Sequence, residues 1–321
     1  MVKNKLSIIL RFVISFGLLM ALAWIMRKDA KEVMGIISGS NKILILLAVL
    51  INIPLSVALA YRLKLLMSGQ KIFLSLRYSV YLTFIGYFFN NFLPTAIGGD
   101  IAKAHYASSK TNNSAASYAA VFADRILGLI ATLLIALTGL LFIGKNMDNK
   151  FIMLAVPGLF ILTVAMIALL LRKNNTVNKT THSSEKGLFN KIKQKLIKLY
   201  TALNRYRNSP ALLAKGILLS LVLQFFSIFN IYLFVLSIGG EMPFFRLLLI
   251  IPIVWTVSML PSLNGLGVRE GAFVYFLKGY IGPEKAFAVS LLWLGLIMLF
   301  SVVGGIFQLA YPLKMKKGTQ K

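Results

Sequence analysis

Two adjacent charge pairs, Asp124-Arg125 and Arg269-Glu270, fall within or beside long apolar runs, where an ionisable side chain is expensive and marks a site. Asp124 and Arg125 lie about ten residues inside the run Ala115 to Ile143, up to roughly 15 Å deep at ~1.5 Å per residue. Neighbouring helix positions point about 100° apart, so the two are not expected to pair with each other and each needs another partner. Asp100 can serve Arg125 and leave its planar fork partly available to a lipid phosphate, while Asp124 can carry a proton. The alternative for all of these charges is a purely structural network.

A Pro/Gly break stands before each pair. The first reads Asn90-Asn91-Phe92-Leu93-Pro94-Thr95-Ala96-Ile97-Gly98-Gly99-Asp100, with Lys103 and His105 following. The second reads Pro261-Ser262-Leu263-Asn264-Gly265-Leu266-Gly267-Val268-Arg269-Glu270-Gly271. A gapless shift of 167 residues lays Leu93, Pro94 and Gly98 on Leu260, Pro261 and Gly265, and Leu127 to Ile130 on Leu294 to Ile297. The chain thus reads as one unit present twice. Proline removes a backbone donor and glycine permits dihedrals that a helix forbids, so the freed amides need partners, and an anionic headgroup can supply them. Such breaks survive in apolar surroundings only when buried in protein or lining a cavity. The alternative is a boundary loop whose glycines allow close packing, with Arg269 and Glu270 bridging to the first half. The charges do not superpose, since Asp124 and Arg125 fall on Leu291 and Leu292, as expected of one site fed unequally by two halves. The candidate headgroup ligands are therefore Arg125, Arg269, Gly98, Gly99, Gly265 and Gly267. The candidate charge network, or proton path, is Asp100, Lys103, Asp124 and Glu270.

These residues need a scaffold, and composition names its solvent. With 321 residues, 58% hydrophobic content and a mean hydropathy of +0.79, the chain is an all-α polytopic membrane protein. Spans are expected at Leu6 to Met26, Ile43 to Ala60, Ala115 to Ile143, Phe151 to Leu171, Ala211 to Ile238 and Lys285 to Pro312. Two shorter segments, Tyr78 to Leu93 and Phe244 to Leu260, run into the breaks and either cross fully or return as re-entrant elements. The count is six to eight helices. The Lys/Arg excess on one side is larger when the short segments are re-entrant, which puts both termini in the cytoplasm and inverts one copy relative to the other. The first span is read as uncleaved, because its apolar run continues past Ala21-Leu22-Ala23 through Trp24.

The balance of 35 Lys+Arg against 9 Asp+Glu comes without a nucleic-acid-binding motif, so the anionic partner is the lipid surface. No cysteine is present, and His105 and His182 are too few for a His-based metal site. No cofactor is expected. One membrane domain results, with a first half at 1–171, a basic cytoplasmic linker at 172–210 and a second half at 211–321. In the linker, Leu188, Phe189, Ile192, Leu196, Leu199, Tyr200 and Leu203 share one arc of a helical wheel, with Lys191, Lys195, Lys198 and Arg205 outside it. That pattern is a basic amphipathic helix lying on an anionic leaflet. Gly304 and Gly305 are expected to allow close helix packing.

Three motifs in order, Asn91-Phe92-Leu93-Pro94 with Gly98-Gly99-Asp100, then Ala123-Asp124-Arg125-Ile126-Leu127-Gly128, then Gly265-Leu266-Gly267-Val268-Arg269-Glu270-Gly271, give a resemblance over nearly the whole chain. The sequence resembles the flippase-like membrane proteins that share the transmembrane region of lysylphosphatidylglycerol synthase. In fused relatives this region is thought to move an aminoacylated phospholipid between leaflets, while a cytosolic domain attaches the amino acid; no such domain is recognisable here. Stand-alone members are associated with glycosyltransferase systems and polyprenyl-linked sugars. The resemblance implies a lipid translocase of the cell membrane, moving an anionic or modified phospholipid or a polyprenyl-phosphate-linked lipid. The competing readings are a non-catalytic partner of a lipid-modifying aminoacyl or glycosyl transferase, and a headgroup enzyme whose base and nucleophile these motifs do not supply.

Overall fold

The computed structural model describes residues 30–92, 97–143, 150–171, 188–259 and 265–310, together with Met20. The expected first span, the tips of both breaks, the polar start of the linker and the C-terminal end lie outside the described residues. What is described is helical: α1 (Ala30–Gly39), α2 (Lys42–Gly69), α3 (Leu76–Phe92), α4 (Gly98–Thr111), α5 (Ser114–Ile143), α6 (Lys150–Leu171), α7 (Leu188–Asn204), α8 (Pro210–Ser237), α9 (Phe244–Val257), α10 (Val268–Ile281) and α11 (Pro283–Ala310). Among the described residues four helices, α2, α5, α8 and α11, are long and apolar enough to cross a membrane.

The expected span over Ile43 to Ala60 runs on through Arg62 and Lys64 to Gly69. A charge does not end this helix, because Arg62 is buried in an ion pair. Its start is fixed by Asn41, whose side chain accepts from the Ile43 and Leu44 amides. The returning arms α4 and α10, which the hydropathy pattern did not separate from the breaks, are 14 residues each, about 21 Å at ~1.5 Å per residue and short of a ~30 Å hydrocarbon core.

Around each break the chain forms a helical hairpin. In the first, Tyr78 Oη donates to the Tyr106 carbonyl at 3.0 Å near the base, and the Gly99 amide donates to Asn90 Oδ1 at 2.8 Å near the tip. The partners converge as the numbers approach each other, so α3 and α4 are antiparallel. In the second, the Arg246 guanidinium stands 4.7 Å over the Tyr280 ring at the base, and Gly265 packs beneath Ser258 near the tip.

The two hairpins approach α5 from opposite ends. Ser108 bonds Ser114 and Asp100 bonds Arg125, so the first hairpin runs from the N-terminus of α5 to its middle. Phe142 packs on Phe245 with ring centroids 4.7 Å apart, and Gly139 lies against the backbone of Leu248 and Leu249, so the second runs in from the C-terminus. Each first arm also packs on the long helix of the other half: α9 on α5, and α3 on α11. At the second contact Gly304 meets the Phe84 carbonyl and Gly305 the Phe88 ring, where a Cβ would have no room. The glycines do what small residues do between membrane helices, letting backbones approach.

One apolar cluster joins α2, α8, α9, α10 and α11, and a second joins α2, α3, α4 and α5. Into the second go Leu199, Ala202, Leu203 and Tyr206 from the end of α7 and the turn after it. Gln70 donates to the Ala202 carbonyl at 2.7 Å, and Tyr206 Oη to the Leu66 carbonyl at 2.6 Å. The end of the amphipathic helix therefore buries its apolar face against protein rather than lipid, with Lys198 exposed.

Candidate functional site

A cavity of about 430 Å³ lies beside the middle of α5. Its floor is charged. Asp124 does not pair with its neighbour Arg125; it accepts from Arg62 Nε at 2.7 Å, while Arg62 Nη1 donates to Ser220 Oγ at 2.8 Å. One guanidinium thus ties α2, α5 and α8 together. Gly128, one turn along α5, lies against that guanidinium, which a Cβ at this position would meet at 3.8 Å.

Arg125 pairs with Asp100, as its depth required, with Nη1 2.5 Å from Oδ2. The other oxygen of Asp100 receives Lys103 Nζ at 3.3 Å. Asp100 is therefore shared by two cations, one on its own helix and one on α5. Lys103 reaches the cavity across Gly86, whose missing side chain is replaced by the lysine stem. Gln224 of α8 donates to Thr132 Oγ1 and to the Gly128 carbonyl. The wall is completed by Tyr87 and Asn90 of α3, Leu159 and Thr163 of α6, and Trp255, Thr256 and Met259 from the second hairpin.

Four of the anticipated residues, Asp100, Lys103, Asp124 and Arg125, thus meet in one cavity, and Arg269 and Glu270 do not line it. They are buried elsewhere, at 5% and 0% exposure. Arg269 donates to Glu270 Oε1 from Nη2 at 2.7 Å and from Nε at 3.1 Å, and Glu270 Oε2 accepts the Gly267 amide at 2.6 Å. Adjacent residues can pair here because Glu270 sits in the first helical turn and folds back over the N-cap. Gly265 and Gly267 adopt φ of 79° and 80°, which favour glycine, so they shape the turn. Gly98 and Gly99 begin α4 fully buried. The Gly99 amide is held by Asn90 and the Gly267 amide by Glu270, so side chains of the protein itself already engage these two donors.

Sequence reasoning missed Arg62, Gln224, Asn90 and Trp255. For Arg62 a signal existed: an arginine just past an apolar run with no Gly or Pro between Leu55 and it. Gln224 and Asn230 are the two amide side chains inside the run Ala211 to Ile238, and either type is costly in lipid without a protein partner.

Among known proteins, the chain is 27% identical over 290 residues to a UPF0104 membrane protein of Pyrococcus horikoshii, covering 83% of this chain and 86% of that one. No solved structure matches it. The family described as the lysylphosphatidylglycerol synthase TM region matches residues 8–305. With nearly the whole length matched, the protein belongs to the family of the lysylphosphatidylglycerol synthase transmembrane region.

Proposed function

We propose that the protein is a lipid translocase in which the hairpins α3–α4 and α9–α10 are re-entrant elements of an inverted repeat. The observation that carries this reading is their convergence from opposite ends of α5 on one charged cavity. A lipid headgroup crossing a bilayer needs a polar halfway station reachable from both leaflets, and two opposed hairpins over a mid-membrane cavity provide that geometry. Leu159 and Met259 of the wall are 42% and 51% exposed, so the rim includes apolar surface against which acyl chains can remain in the bilayer.

Orientation follows from charge. The end that carries the C-terminus of α2, the N-terminus of α5 and the end of α7 bears Lys71, Arg77, Lys110, Lys198, Arg205, Arg207 and Lys215 with no carboxylate among the described residues there, whereas the other bears Lys31, Lys42, Arg246, Lys278 and Lys285 together with Glu32, Glu241 and Glu284. The basic end is cytoplasmic by the positive-inside rule. In the cavity Arg125 and Lys103 hold the headgroup phosphate, with Asp100 holding both cations in place between transport events.

The test is transbilayer movement of labelled phospholipids in proteoliposomes, comparing the wild type with Arg125→Gln and Lys103→Gln. Faster movement with wild type than with empty vesicles, lost in both variants, supports the reading. Folded protein that moves no anionic, zwitterionic or polyprenyl lipid sinks it.

A further inference from the structure

The described charges lining the cavity do not cancel. Among the described side chains Arg62, Lys103 and Arg125 face two carboxylates, Asp100 and Asp124, which leaves one net positive charge in a cavity where Arg62 and Lys103 are buried and Arg125 is 35% exposed. A buried charge of that kind is stabilised by one counter-charge and penalised by a second charge of its own sign. Both oxygens of Asp100 are engaged, each by a different cation.

The neutral wall adds a second criterion. Thr163 Oγ1 donates to the Leu159 carbonyl at 2.7 Å and Thr256 Oγ1 to the Pro252 carbonyl at 2.8 Å. With its single proton committed, each hydroxyl offers lone pairs only, which a headgroup O–H can use at no electrostatic cost, whereas an ammonium reaching the same lone pairs meets the excess positive charge. These two threonines come from α6 and the second hairpin, whereas the cations of the lining come from α2, α4 and α5.

We infer that, within the translocase reading, the cavity selects a phosphodiester headgroup of one net negative charge carrying a neutral polyol or sugar, and disfavours one bearing an added ammonium. Phosphatidylglycerol has that chemistry. Its lysyl ester, with net charge of opposite sign, does not, although the family is described by a synthase of that ester.

Binding separates this inference from transport. The purified full-length protein is titrated in detergent with phosphatidylglycerol, lysylphosphatidylglycerol and phosphatidylethanolamine, and occupancy is read by native mass spectrometry. The inference expects phosphatidylglycerol to bind about tenfold or more tighter than either other lipid. Arg125→Gln and Lys103→Gln each remove the excess charge and should erase that preference. The inference is overturned if lysylphosphatidylglycerol binds as tightly as phosphatidylglycerol, or if both neutralising variants leave the ranking unchanged. Selective binding without movement of any lipid would sink the translocase reading alone, and movement of cationic lipids by preference would sink this one alone.

Discussion

Arg62 Nε and Asp124 Oδ1 stand 2.7 Å apart, with both side chains at or below 10% exposure, and the pair joins α2 to α5 across 62 positions of sequence. Removing one partner leaves the other as an uncompensated buried charge. Arg62→Ala and Asp124→Ala should each cost about 3–5 kcal/mol of stability. The apolar double variant Arg62→Met/Asp124→Leu should recover most of that loss. Thermal unfolding in detergent reads all three, and a double variant no better than the worse single one would refute the pairing.

Two glycines in matching arms of the hairpins predict opposite outcomes. A Cβ on Gly99 would run into the Gly86 carbonyl and the Asn90 side chain, whereas Gly271 has open space around the position. Gly99→Ala should therefore destabilise by about 1–3 kcal/mol through forced backbone movement. Gly271→Ala should leave the melting temperature unchanged or slightly raised, because alanine is the better helix former by about 1 kcal/mol.

Opposed entry of the hairpins fixes which side each base faces. The chain contains no cysteine, so Lys110→Cys at the base of the first hairpin and Ser38→Cys beside the start of α2 can be labelled one at a time. A membrane-impermeant maleimide should reach Ser38→Cys from outside intact cells and Lys110→Cys only after the inner face is opened. Labelling of both from the same side would rule out the inverted arrangement.

Arg125 and Arg269 should behave differently under the same substitution. Arg269 is bonded within its own hairpin and away from the cavity. Arg269→Gln should thus lower stability while leaving phosphatidylglycerol affinity unchanged, and Arg125→Gln should lower that affinity by about tenfold. Native mass spectrometry below the melting temperature of each variant separates the two effects.

The long helices were legible because each is an uninterrupted apolar run, and the breaks because proline and paired glycines stand in such runs. The Asp100–Arg125 pair was legible for an energetic reason: a deep arginine demands a carboxylate, and Asp100 follows the nearest break. Arg62 was not, since its partner and Ser220 lie 62 and 158 positions away, and periodicity carries no information over such distances. Geometry also misled at one place. The rule that successive helix positions diverge holds at Asp124 and Arg125 in mid-helix, but Arg269 and Glu270 escape it at a helix start, where the N-cap draws the glutamate back. Gln224 stayed hidden because an amide in an apolar run looks the same whether it lines a cavity or bonds a neighbouring helix.

The exchange of hairpins between halves, α3 on α11 and α9 on α5, has a consequence for inheritance. Each half leaves along its long helix a berth that the other's hairpin fills, so each half should need the other in order to fold, as two subunits that happen to be tethered. Produced as separate polypeptides in one cell, they should reassemble into the working protein. A single half able to enter the membrane in either orientation would close the same structure as a dimer, and duplication followed by fusion would then freeze one orientation into each copy.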